Sequence, residues 1–516
     1  MRLGVDVGGT NTDAVVIDGR VVLGKAKSPT TQPSVAGGIT ESVNQAIRSA
    51  GIKANEINAA MIGTTQVTNA IAERRRLLQT AVVRVCLPAN TSLQPMVDWP
   101  QALVEEIGTH FFSVRGGVEV DGSEHAPFDG AALREAAIRI RRDRLRDIAV
   151  VGLFSPVDST SEKLAADIIN DEIPEARVTL SSDLGFLGFV ERENAAILNA
   201  SLGGIAQEIV QGFASSLSKA GVNAPVFVSQ NNGSLMTAEF ARRYPILMAQ
   251  SGPTNSMRGA AWLTGMDDAV VIDVGGTTTD IGMLANGRPH ERALPSDTSG
   301  VRTNFRMPDI LSLALGGGSI VSLERTPVLV GPRSVHRHIE TEALIFGGDT
   351  PTATDVAVGM GRINLGDRNN LSRLTPERLR EADQFIRHMI SDGIDQMKLS
   401  ADPVTAIVVG GGARMVPDDV EGIGAIEIPE HADVANAIGA ATAPVSGEID
   451  LVLSYTGATR SDAITKARER ASERAVAAGA NPETLELVEV NEIPLSYTSA
   501  DTFRVRIIVA GELAAA

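Results

Sequence analysis

Two eight-residue segments of the chain repeat one pattern of glycine, threonine and aspartate. Residues 6–13 read DVGGTNTD and residues 273–280 read DVGGTTTD, so the copies differ only at their sixth position. Two adjacent glycines let the backbone approach a phosphate group closely. Successive N–H groups in such a turn, together with threonine hydroxyls, form an anion-binding concavity. The repeat therefore predicts two loops that close on one polyphosphate, and a purely structural repeat is the alternative.

The aspartate that opens each copy adds a second kind of chemistry. Asp6 and Asp273 both follow a short apolar run, so each is expected at the end of a strand. A carboxylate in this position suits a hard cation such as Mg²⁺, directly or through water. The two copies thus predict a metal beside the polyphosphate.

The repeated segments need an element that presents them. Each copy lies between two apolar runs and is followed by a turn that contains glycine, which predicts a β-hairpin with Gly-Gly-Thr-x-Thr at its tip. The runs and turns are Leu3–Val5, Ala14–Ile17 and Asp18–Arg20 in the first copy, and Val270–Ile272, Ile281–Leu284 and Asn286–Arg288 in the second.

Two further glycine clusters read ALGGGSIV at residues 314–321 and IVVGGGAR at residues 407–414. The second cluster leaves the predicted strand Ala406–Val409 directly. Three glycines in a row let a flat ring lie against the backbone, because no side chain intervenes. We interpret residues 410–412 as an adenine or ribose contact, with a tight turn as the alternative.

Polar residues mark three other boundaries between predicted elements. Thr64 and Thr65 lie where a strand is followed by a helix, a common place for ligand contacts. Ser251 and Gly252 lead into a helix whose N-terminus can hold an anion or a substrate. Asp355 ends the segment PTATD and is a candidate catalytic or metal carboxylate. Helix capping is the alternative for all three segments.

Short strands and helices alternate along most of the chain, and its length allows about three domains. A long helix is predicted over Asn194–Ala220, where it can connect two lobes. The composition changes near Pro444–Gly447, and a small β-α-β-β unit without catalytic residues follows. We predict a first lobe over residues 1–200, a second lobe over residues 201–445 and a small α+β domain over residues 446–516.

The composition is that of a soluble globular protein. The formal net charge is -17, from 63 acidic and 46 basic residues, which argues against a general nucleic-acid surface. Cys86 is the single cysteine, which excludes an internal disulfide and an all-cysteine metal site within one chain. No apolar run approaches the length of a membrane span, and the charged start does not resemble a signal peptide. We expect a cytoplasmic protein.

The two DVGGT hairpins, the IVVGGGA strand exit and the helical segment at residues 435–440 together resemble the actin/Hsp70/sugar-kinase ATPase superfamily. The resemblance implies an α/β, two-lobed actin/Hsp70-like fold of the ribonuclease H-like type, with a small C-terminal α+β domain. It assigns the hairpins to two phosphate motifs and residues 410–412 to an adenosine motif. The helices near Asn194 and Asn436 would be the two connecting helices.

Four further segments are similar to the hydantoinase A/5-oxoprolinase family. They are IGTTQVTNA at residues 62–70, QSGP at 250–253, ALGGGSI at 314–320 and the PTATD segment with its continuation to residue 362. This resemblance implies ATP-driven opening of a cyclic amide such as 5-oxoproline, a hydantoin or a lactam. Phosphorylation of the amide oxygen would turn that oxygen into a leaving group, so that water can attack the carbon.

The resemblance also implies roles for individual residues. ATP and Mg²⁺ are the expected cofactors, with Asp6 and Asp273 beside the metal. The catalytic candidates are Asp6, Asp13, Asp273, Asp280 and Asp355, and Asp13, Asp280 and Asp355 compete for positioning the attacking water. The residues expected to hold the nucleotide are Gly8, Gly9, Thr10, Asn11, Thr12, Gly275, Gly276, Thr277, Thr278, Gly316, Gly317, Gly410, Gly411 and Gly412. Those expected to hold the cyclic amide are Thr64, Thr65, Asn69, Ser251 and Gly252.

The expected partners also follow from the resemblance. Large subunits of the family have a longer C-terminal region and share the ring-opening work with a companion hydrolase subunit, so a partner polypeptide is implied. A homo-oligomer stays open. Two other uses of the same ATPase also stay open: a reactivating or chaperone-like subunit, and a carboxylase or kinase component. The IGTT and SGP segments favour the cyclic amide, because a pure chaperone does not require them.

Overall fold

The computed structural model describes residues 1–31, 35–292, 296–304, 307–454, 459–495 and 502–514. Its strands form three main sheets and two short hairpins. In chain order the strands are β1 (Arg2–Val7), β2 (Asn11–Asp18), β3 (Val21–Pro29), β4 (Ala59–Thr64), β5 (Thr80–Leu87), β6 (His110–Arg115), β7 (Asp147–Gly152), β8 (Arg177–Leu180), β9 (Val226–Ser229), β10 (Leu235–Thr237), β11 (Ala269–Val274), β12 (Thr279–Ala285), β13 (Arg288–Pro289), β14 (Ser296–Thr298), β15 (Val301–Thr303), β16 (Ile310–Leu313), β17 (Ser319–Ser322), β18 (Leu329–Ser334), β19 (Val404–Val409), β20 (Ile423–Glu427), β21 (Val445–Ser454), β22 (Glu486–Pro494) and β23 (Thr502–Gly511).

The helices lie between these strands, in the alternation that defines an α/β protein. Gly51 ends the first of them in the left-handed conformation, with a φ of 67°. None of the helices in the described ranges combines the length and the apolar composition that a bilayer span requires. In chain order the helices are α1 (Ala36–Ala50), α2 (Gln66–Glu73), α3 (Gln101–Ile107), α4 (Gly130–Arg142), α5 (Thr160–Glu172), α6 (Phe189–Ser201), α7 (Gly203–Lys219), α8 (Ala238–Arg243), α9 (Ser251–Thr264), α10 (Ile339–Glu342), α11 (Ala353–Gly359), α12 (Pro376–Met397), α13 (Ala435–Thr442) and α14 (Arg460–Ala477).

The first sheet is built around the first repeat hairpin. Strand β1 pairs antiparallel with β2 and parallel with β4, while β2 pairs with β3 and β4 pairs with β9. The sheet continues through β10 to β21, β23 and β22, so the C-terminal strands extend it. Nearly every residue of β1 and β4 is buried, as expected for central strands covered on both faces.

The second sheet repeats the centre of the first. Strand β11 pairs antiparallel with β12 and parallel with β19, while β12 pairs antiparallel with β16 and β19 pairs parallel with β20. The order β3-β2-β1-β4-β9 therefore corresponds, strand by strand and in direction, to β16-β12-β11-β19-β20. This duplication confirms the predicted two-lobed α/β fold of the actin/Hsp70-like, ribonuclease H-like type. At the C-terminus, α14 packs on β21 and β23 around a core cluster of its own, while these strands extend the first sheet.

A third sheet, in the order β6-β5-β7-β8, is inserted after α2. All its strands run parallel, and apolar residues of α4 and α5 pack on it. Cys86 lies buried in β5, as its apolar neighbours predict.

Helices α9 and α13 cross where the two lobes meet. They approach each other through small residues, since a Cβ on Gly259 would overlap the carbonyl oxygen of Ala435 and a Cβ on Gly439 would overlap that of Asn255. Core clusters of both lobes include residues of these helices. The crossing therefore fixes how the two hairpins are placed relative to each other.

Two features differ from the sequence-based expectations. The helix predicted over Asn194–Ala220 is two helices, α6 and α7, which meet at Leu202. The sheets also do not divide at the predicted lobe boundaries. Strands β9 and β10, assigned to the lobe at residues 201–445, pair with β4 and β21 in the first sheet. Long-range strand pairing, which has no local sequence signal, produces this difference.

Candidate active site

The tips of both repeat hairpins line one cleft between the lobes, with a volume of about 380 Å³. Seven separate segments of the chain meet there, so the convergence that the repeat predicts is present. The predicted site residues that line the cleft are Asp6, Gly8, Gly9, Thr10, Asn11, Asp13, Thr65, Asn69, Gly252, Asp273, Gly275, Gly276, Thr277, Thr278, Asp280, Gly410 and Gly411.

The two hairpin tips have the same backbone geometry. The N–H of Gly8 donates across the first turn at 3.0 Å, and the N–H of Gly275 donates across the second turn at 2.9 Å. The tips also face each other closely, because a Cβ on Gly276 would lie 3.9 Å from Thr10 Oγ1. Two matched turns on opposite walls can hold successive phosphates of one polyphosphate chain.

Four carboxylates lie at the bases of these tips. Asp6 is opposite Asp13 in the register of the first hairpin, and Asp273 is opposite Asp280 in the second. Burial raises the pKa of Asp6 to about 7, and the charges of Asp13 and Asp273 add to that effect. Burial also raises the pKa of Asp280 to about 7, and it raises the pKa of Asp13 and of Asp273. Carboxylates with perturbed pKa values in a cleft are characteristic of functional sites.

Two side chains absent from the predicted site hold the first pair of carboxylates. Lys27 Nζ lies 2.7 Å from Asp13 Oδ1. Asn436 Nδ2 donates to Asp6 at 2.9 Å and to Asp13 at 3.1 Å. Lys27 is opposite Asp13 in the register of β2 and β3 because the register shifts by one residue between Val16 and Ile17, so the spacing in the sequence does not identify it. Asn436 belongs to a helix that the resemblance implied as a connecting helix. Its contact with Asp6, 430 residues away in the chain, has no local sequence signal.

Serine hydroxyls hold the second pair. Ser256 Oγ donates to Asp273 Oδ2 at 2.5 Å, and Ser312 Oγ donates to Asp280 Oδ1 at 2.5 Å. Hydrogen bonds of this kind favour the charged carboxylate and oppose the effect of burial. Serine is too common for either position to have been identified from the sequence.

A cation in the cleft would provide a partner for one oxygen of the Asp6 carboxylate. Asp6 Oδ1 is inaccessible to water and forms no hydrogen bond with a described residue. Over the described ranges, no group of three His, Cys, Asp or Glu residues forms a metal cage. Mg²⁺, however, is usually bound by one or two carboxylates together with phosphate oxygens. Asp6 and Asp273 therefore fit a magnesium ion that arrives with a nucleotide, and this assignment stays a prediction.

The raised pKa of Asp6 predicts a pH-dependent stability. The folded state binds the Asp6 proton more tightly than the unfolded chain, whose pKa is the ordinary 3.8, so stability is lost as the pH rises towards 7. Asp6→Asn removes this term. We expect the free energy of unfolding of Asp6→Asn to exceed that of the unmodified chain by roughly 1–2 kcal/mol near neutral pH and by much less near about pH 4. Denaturation without nucleotide or metal across this range measures the difference, and parallel curves would contradict the prediction.

The predicted contact residues that do not line the cleft lie behind it. A Cβ on Gly316 would lie 2.5 Å from the backbone nitrogen of Thr277, and the N–H of Gly317 donates to the carbonyl of Gly275 at 3.0 Å. Gly316 and Gly317 thus pack against the backbone of the second tip, on its side away from the cleft. The residues in this position are Thr12, Thr64, Ser251, Gly316, Gly317 and Gly412.

Asp355, a predicted catalytic candidate, lies outside the cleft and is fully buried. Its carboxylate accepts from the N–H and the Oγ1 of Thr352, both at 2.7 Å, and from the N–H of Ile345 at 2.8 Å. This is a capping box at the start of α11. The contact of the helix-capping alternative is therefore present at Asp355, and donors of its own fold engage its oxygens.

This role of Asp355 leads to a prediction about stability rather than catalysis. Asp355→Asn replaces one acceptor oxygen by an amide that faces donors, so we expect a loss of about 2–3 kcal/mol in the free energy of unfolding. Turnover per folded molecule should change by less than about threefold, since no catalytic group is lost. Chemical denaturation and activity assays, with Asp367→Asn at an exposed cap as the control, test both parts. A large loss of turnover with unchanged stability would return Asp355 to the catalytic candidates.

The sequence matches known family descriptions over most of its length. Residues 2–173 match the hydantoinase/oxoprolinase N-terminal region, and residues 192–384 match hydantoinase/oxoprolinase. The caprolactamase subunit alpha of Pseudomonas jessenii is 26% identical over 383 residues, which cover 70% of this chain and 54% of the relative. The acetophenone carboxylase gamma subunit of Aromatoleum aromaticum is 27% identical over 440 residues, which cover 77% and 58%.

A solved structure shows the same fold. The crystal structure of the ATP-dependent caprolactamase from Pseudomonas jessenii superimposes with a TM-score of 0.78 at 20% identity, over 100% of this chain and 88% of that chain. The chain spans little more than half the length of the two curated relatives.

Proposed function

Because the chain belongs to the hydantoinase/oxoprolinase family, we propose that it uses ATP to open a cyclic amide by hydrolysis. One observation carries the proposal. Two matched glycine tips and four carboxylates with raised pKa values share a single cleft with residues of the IGTTQVTNA and QSGP segments. A polyphosphate site and a second binding wall are thus within reach of each other.

The reaction needs activation because an amide carbon is a poor electrophile. Transfer of the terminal phosphoryl group of ATP to the amide oxygen forms an O–P bond and releases ADP. Water then adds to the carbon and the C–N bond of the ring breaks, which frees the amine and leaves an acyl phosphate. A second water hydrolyses the acyl phosphate to the carboxylate and phosphate. The products are ADP, phosphate and an open chain that carries an amine and a carboxylate. Positioning and electrostatic stabilisation supply most of the catalysis in phosphoryl transfer.

The hairpin tips are assigned to the phosphates. Backbone N–H groups at Gly9–Asn11 and Gly276–Thr278 would orient the chain of phosphates from opposite walls. Asp6 and Asp273 would hold Mg²⁺, which when bound neutralises charge on the phosphate oxygens. Gly410 and Gly411 are assigned to the adenosine, because both line the cleft and a Cβ on Gly411 would meet no atom within 4 Å.

The carboxylates of Asp13 and Asp280 are the remaining candidates for the water. Each lies opposite a metal candidate in its hairpin and lines the cleft. Asp280 has a raised pKa of about 7, which suits a group that accepts a proton near neutral pH. Lys27 pairs with Asp13 and opposes the rise of its pKa that burial causes, which makes this carboxylate the weaker base. We therefore favour Asp280 over Asp13 for orienting the attacking water.

The cyclic amide is assigned to the wall between α2 and α9. Thr65 and Asn69 line the cleft on one side, and Gly252 lies opposite Thr65 with room for a Cβ at 3.4 Å from its methyl group. The N–H of Gln250 donates to Thr68 Oγ1 at 2.9 Å and joins the two helices. Small polar side chains at two helix starts suit the oxygen and the N–H of an amide ring.

A second candidate function and a partner follow from the relatives. One relative is a carboxylase subunit, so ATP-dependent carboxylation is the alternative chemistry for the same cleft. Both curated relatives are named as subunits, and the chain covers little more than half of each. We therefore propose a companion polypeptide that contributes to the complete reaction.

The test is ATP hydrolysis by the purified chain with Mg²⁺ and a panel of 5-oxoproline, hydantoins and lactams, alone and with candidate companion subunits. A parallel panel supplies ketones with bicarbonate. Stimulation by one ring, with ADP and the open-chain amine formed in equal amounts, would support the proposal and identify the substrate. Bicarbonate-dependent consumption of a ketone would replace it with carboxylation. ATP hydrolysis that no ring and no ketone changes would favour a regulatory ATPase.

A further inference from the structure

Arg258 is a largely buried arginine whose guanidinium has no hydrogen-bond or ion-pair partner among the residues that the structure describes. It lies in α9, and its stem packs under the turn at Gly233, where a Cβ would lie 2.6 Å from Arg258 Cδ. Its Nε is inaccessible to water and makes no hydrogen bond within the described part of the chain. No ion pair joins its guanidinium to a described carboxylate. An isolated buried charge is costly, so proteins normally pair it.

Other buried arginines of this protein follow that rule. Arg192 donates to the hydroxyl of Ser181 and to the carbonyl oxygens of Gly152 and Phe186. Arg84 forms a bidentate ion pair with Glu193, with both hydrogen bonds at 2.6 Å. The unpaired state of Arg258 is therefore a local feature of one site and not a general property of this fold.

A second cation increases the need for an anion. Arg288, the first residue of β13, faces the same cavity of about 720 Å³ as Arg258. Burial and the charge of Arg288 together lower the pKa of Arg258 to about 10. Two carboxylates in the wall of this cavity, Glu291 and Glu489, pair with Arg506. Arg506 also pairs with Glu448 and is therefore shared by three carboxylates, while Arg258 and Arg288 are the arginines that line the cavity itself.

We propose that Arg258 and Arg288 form a binding site for a small oxyanion, a carboxylate or a phosphate. The guanidinium group presents a planar set of donors that matches both chemistries. The cavity shares no residue with the nucleotide cleft, so the site is separate from the proposed ATP site. Arg258 lies two residues after Ser256, which donates to Asp273 in the cleft, so one helix contacts both sites.

The test fills the nucleotide cleft first, because free phosphate would also bind there. The full chain is saturated with Mg²⁺ and a non-hydrolysable ATP analogue, and it is then titrated by calorimetry at constant ionic strength. The titrants are inorganic phosphate, acetate and chloride. The variants are Arg258→Gln and Arg288→Gln, with Arg142→Gln as a matched control, because the Arg142 side chain is 75% exposed on α4.

We expect the unmodified chain and Arg142→Gln to bind one oxyanion, and Arg258→Gln to bind it at least about tenfold more weakly. Binding of phosphate alone, acetate alone or both identifies the chemistry of the ligand. Arg288 is exposed, so Arg288→Gln is expected to fold and keeps the test valid if Arg258→Gln does not fold. The affinity of Arg288→Gln for the oxyanion should also be lower than that of the unmodified chain. Absence of oxyanion binding to the unmodified chain, equal binding of chloride, or unchanged affinity in Arg288→Gln and in any folded Arg258→Gln would overturn the proposal.

Discussion

Asp273→Asn is expected to abolish ATP turnover while it raises the melting temperature of the chain. Asp273 lies at the base of the second tip, and its Oδ2 accepts a hydrogen bond from Ser256 at 2.5 Å. Burial raises its pKa, so the charged form opposes folding at neutral pH. The neutral amide removes this cost. It also removes the charge that would hold a metal against the phosphates, which should lower turnover by at least about 10³-fold.

The measurement combines two assays on the same preparation. ATP hydrolysis with Mg²⁺ gives the turnover, and thermal unfolding without ligand gives the stability. Asp268→Asn is the matched control, because Asp268 is exposed immediately before the same strand, β11, begins. Turnover within a few-fold of the unmodified chain would remove Asp273 from the site. A loss of both stability and turnover would assign Asp273 a structural role instead.

The opposite effects on turnover and stability have a common cause. The cleft concentrates four carboxylates in a buried place, where their desolvation and mutual repulsion cost free energy in the absence of a ligand. A protein keeps such a cost when the ligand that offsets it is part of the function. Lys27 and Asn436 offset only part of it, because both contact the first pair of carboxylates.

The hairpins were predictable because their signals are local. Glycine, threonine and aspartate occur at fixed spacing between two apolar runs, and a tight turn brings Asp6 opposite Asp13 without help from the rest of the chain. The same local logic defines the second tip. The repeat itself predicted that both tips meet in one cleft, because two matching anion-binding turns can bind the same polyphosphate.

The remaining site residues depend on long-range packing, which a single sequence does not encode in its spacing. Asn436 reaches Asp6 because α13 crosses α9 between the lobes. Asp355 shows the reverse case. The Thr-x-x-Asp pattern at Thr352 is a capping signature, and only its burial behind β17 separates that role from a catalytic one. Strands β9 and β10 joined the first sheet through pairings that have no signal of their own.

Gly439→Ala is expected to be among the most destabilising single substitutions in the chain. A Cβ at this position would lie 2.6 Å from the carbonyl carbon of Asn255 and 2.9 Å from the nitrogen of Gly259, and both belong to the backbone of α9. A helix backbone cannot yield as a side chain does, so the two helices must separate. We expect a loss of at least about 4 kcal/mol in the free energy of unfolding. Alanine would otherwise favour a helix interior by about 0.5–1 kcal/mol.

Gly212→Ala in α7 is the matched control, since a Cβ there meets no atom within 4 Å. It should stabilise the chain by about 0.5–1 kcal/mol, opposite in sign to Gly439→Ala. Chemical denaturation of both variants measures the difference, and ATP affinity reports on the cleft. Separation of α9 from α13 would move Ser256 away from Asn436, so any folded Gly439→Ala should also bind ATP more weakly. Equal stability of the two variants would mean that the crossing of α9 and α13 does not hold the lobes together. The flanking sheets would then determine the shape of the cleft.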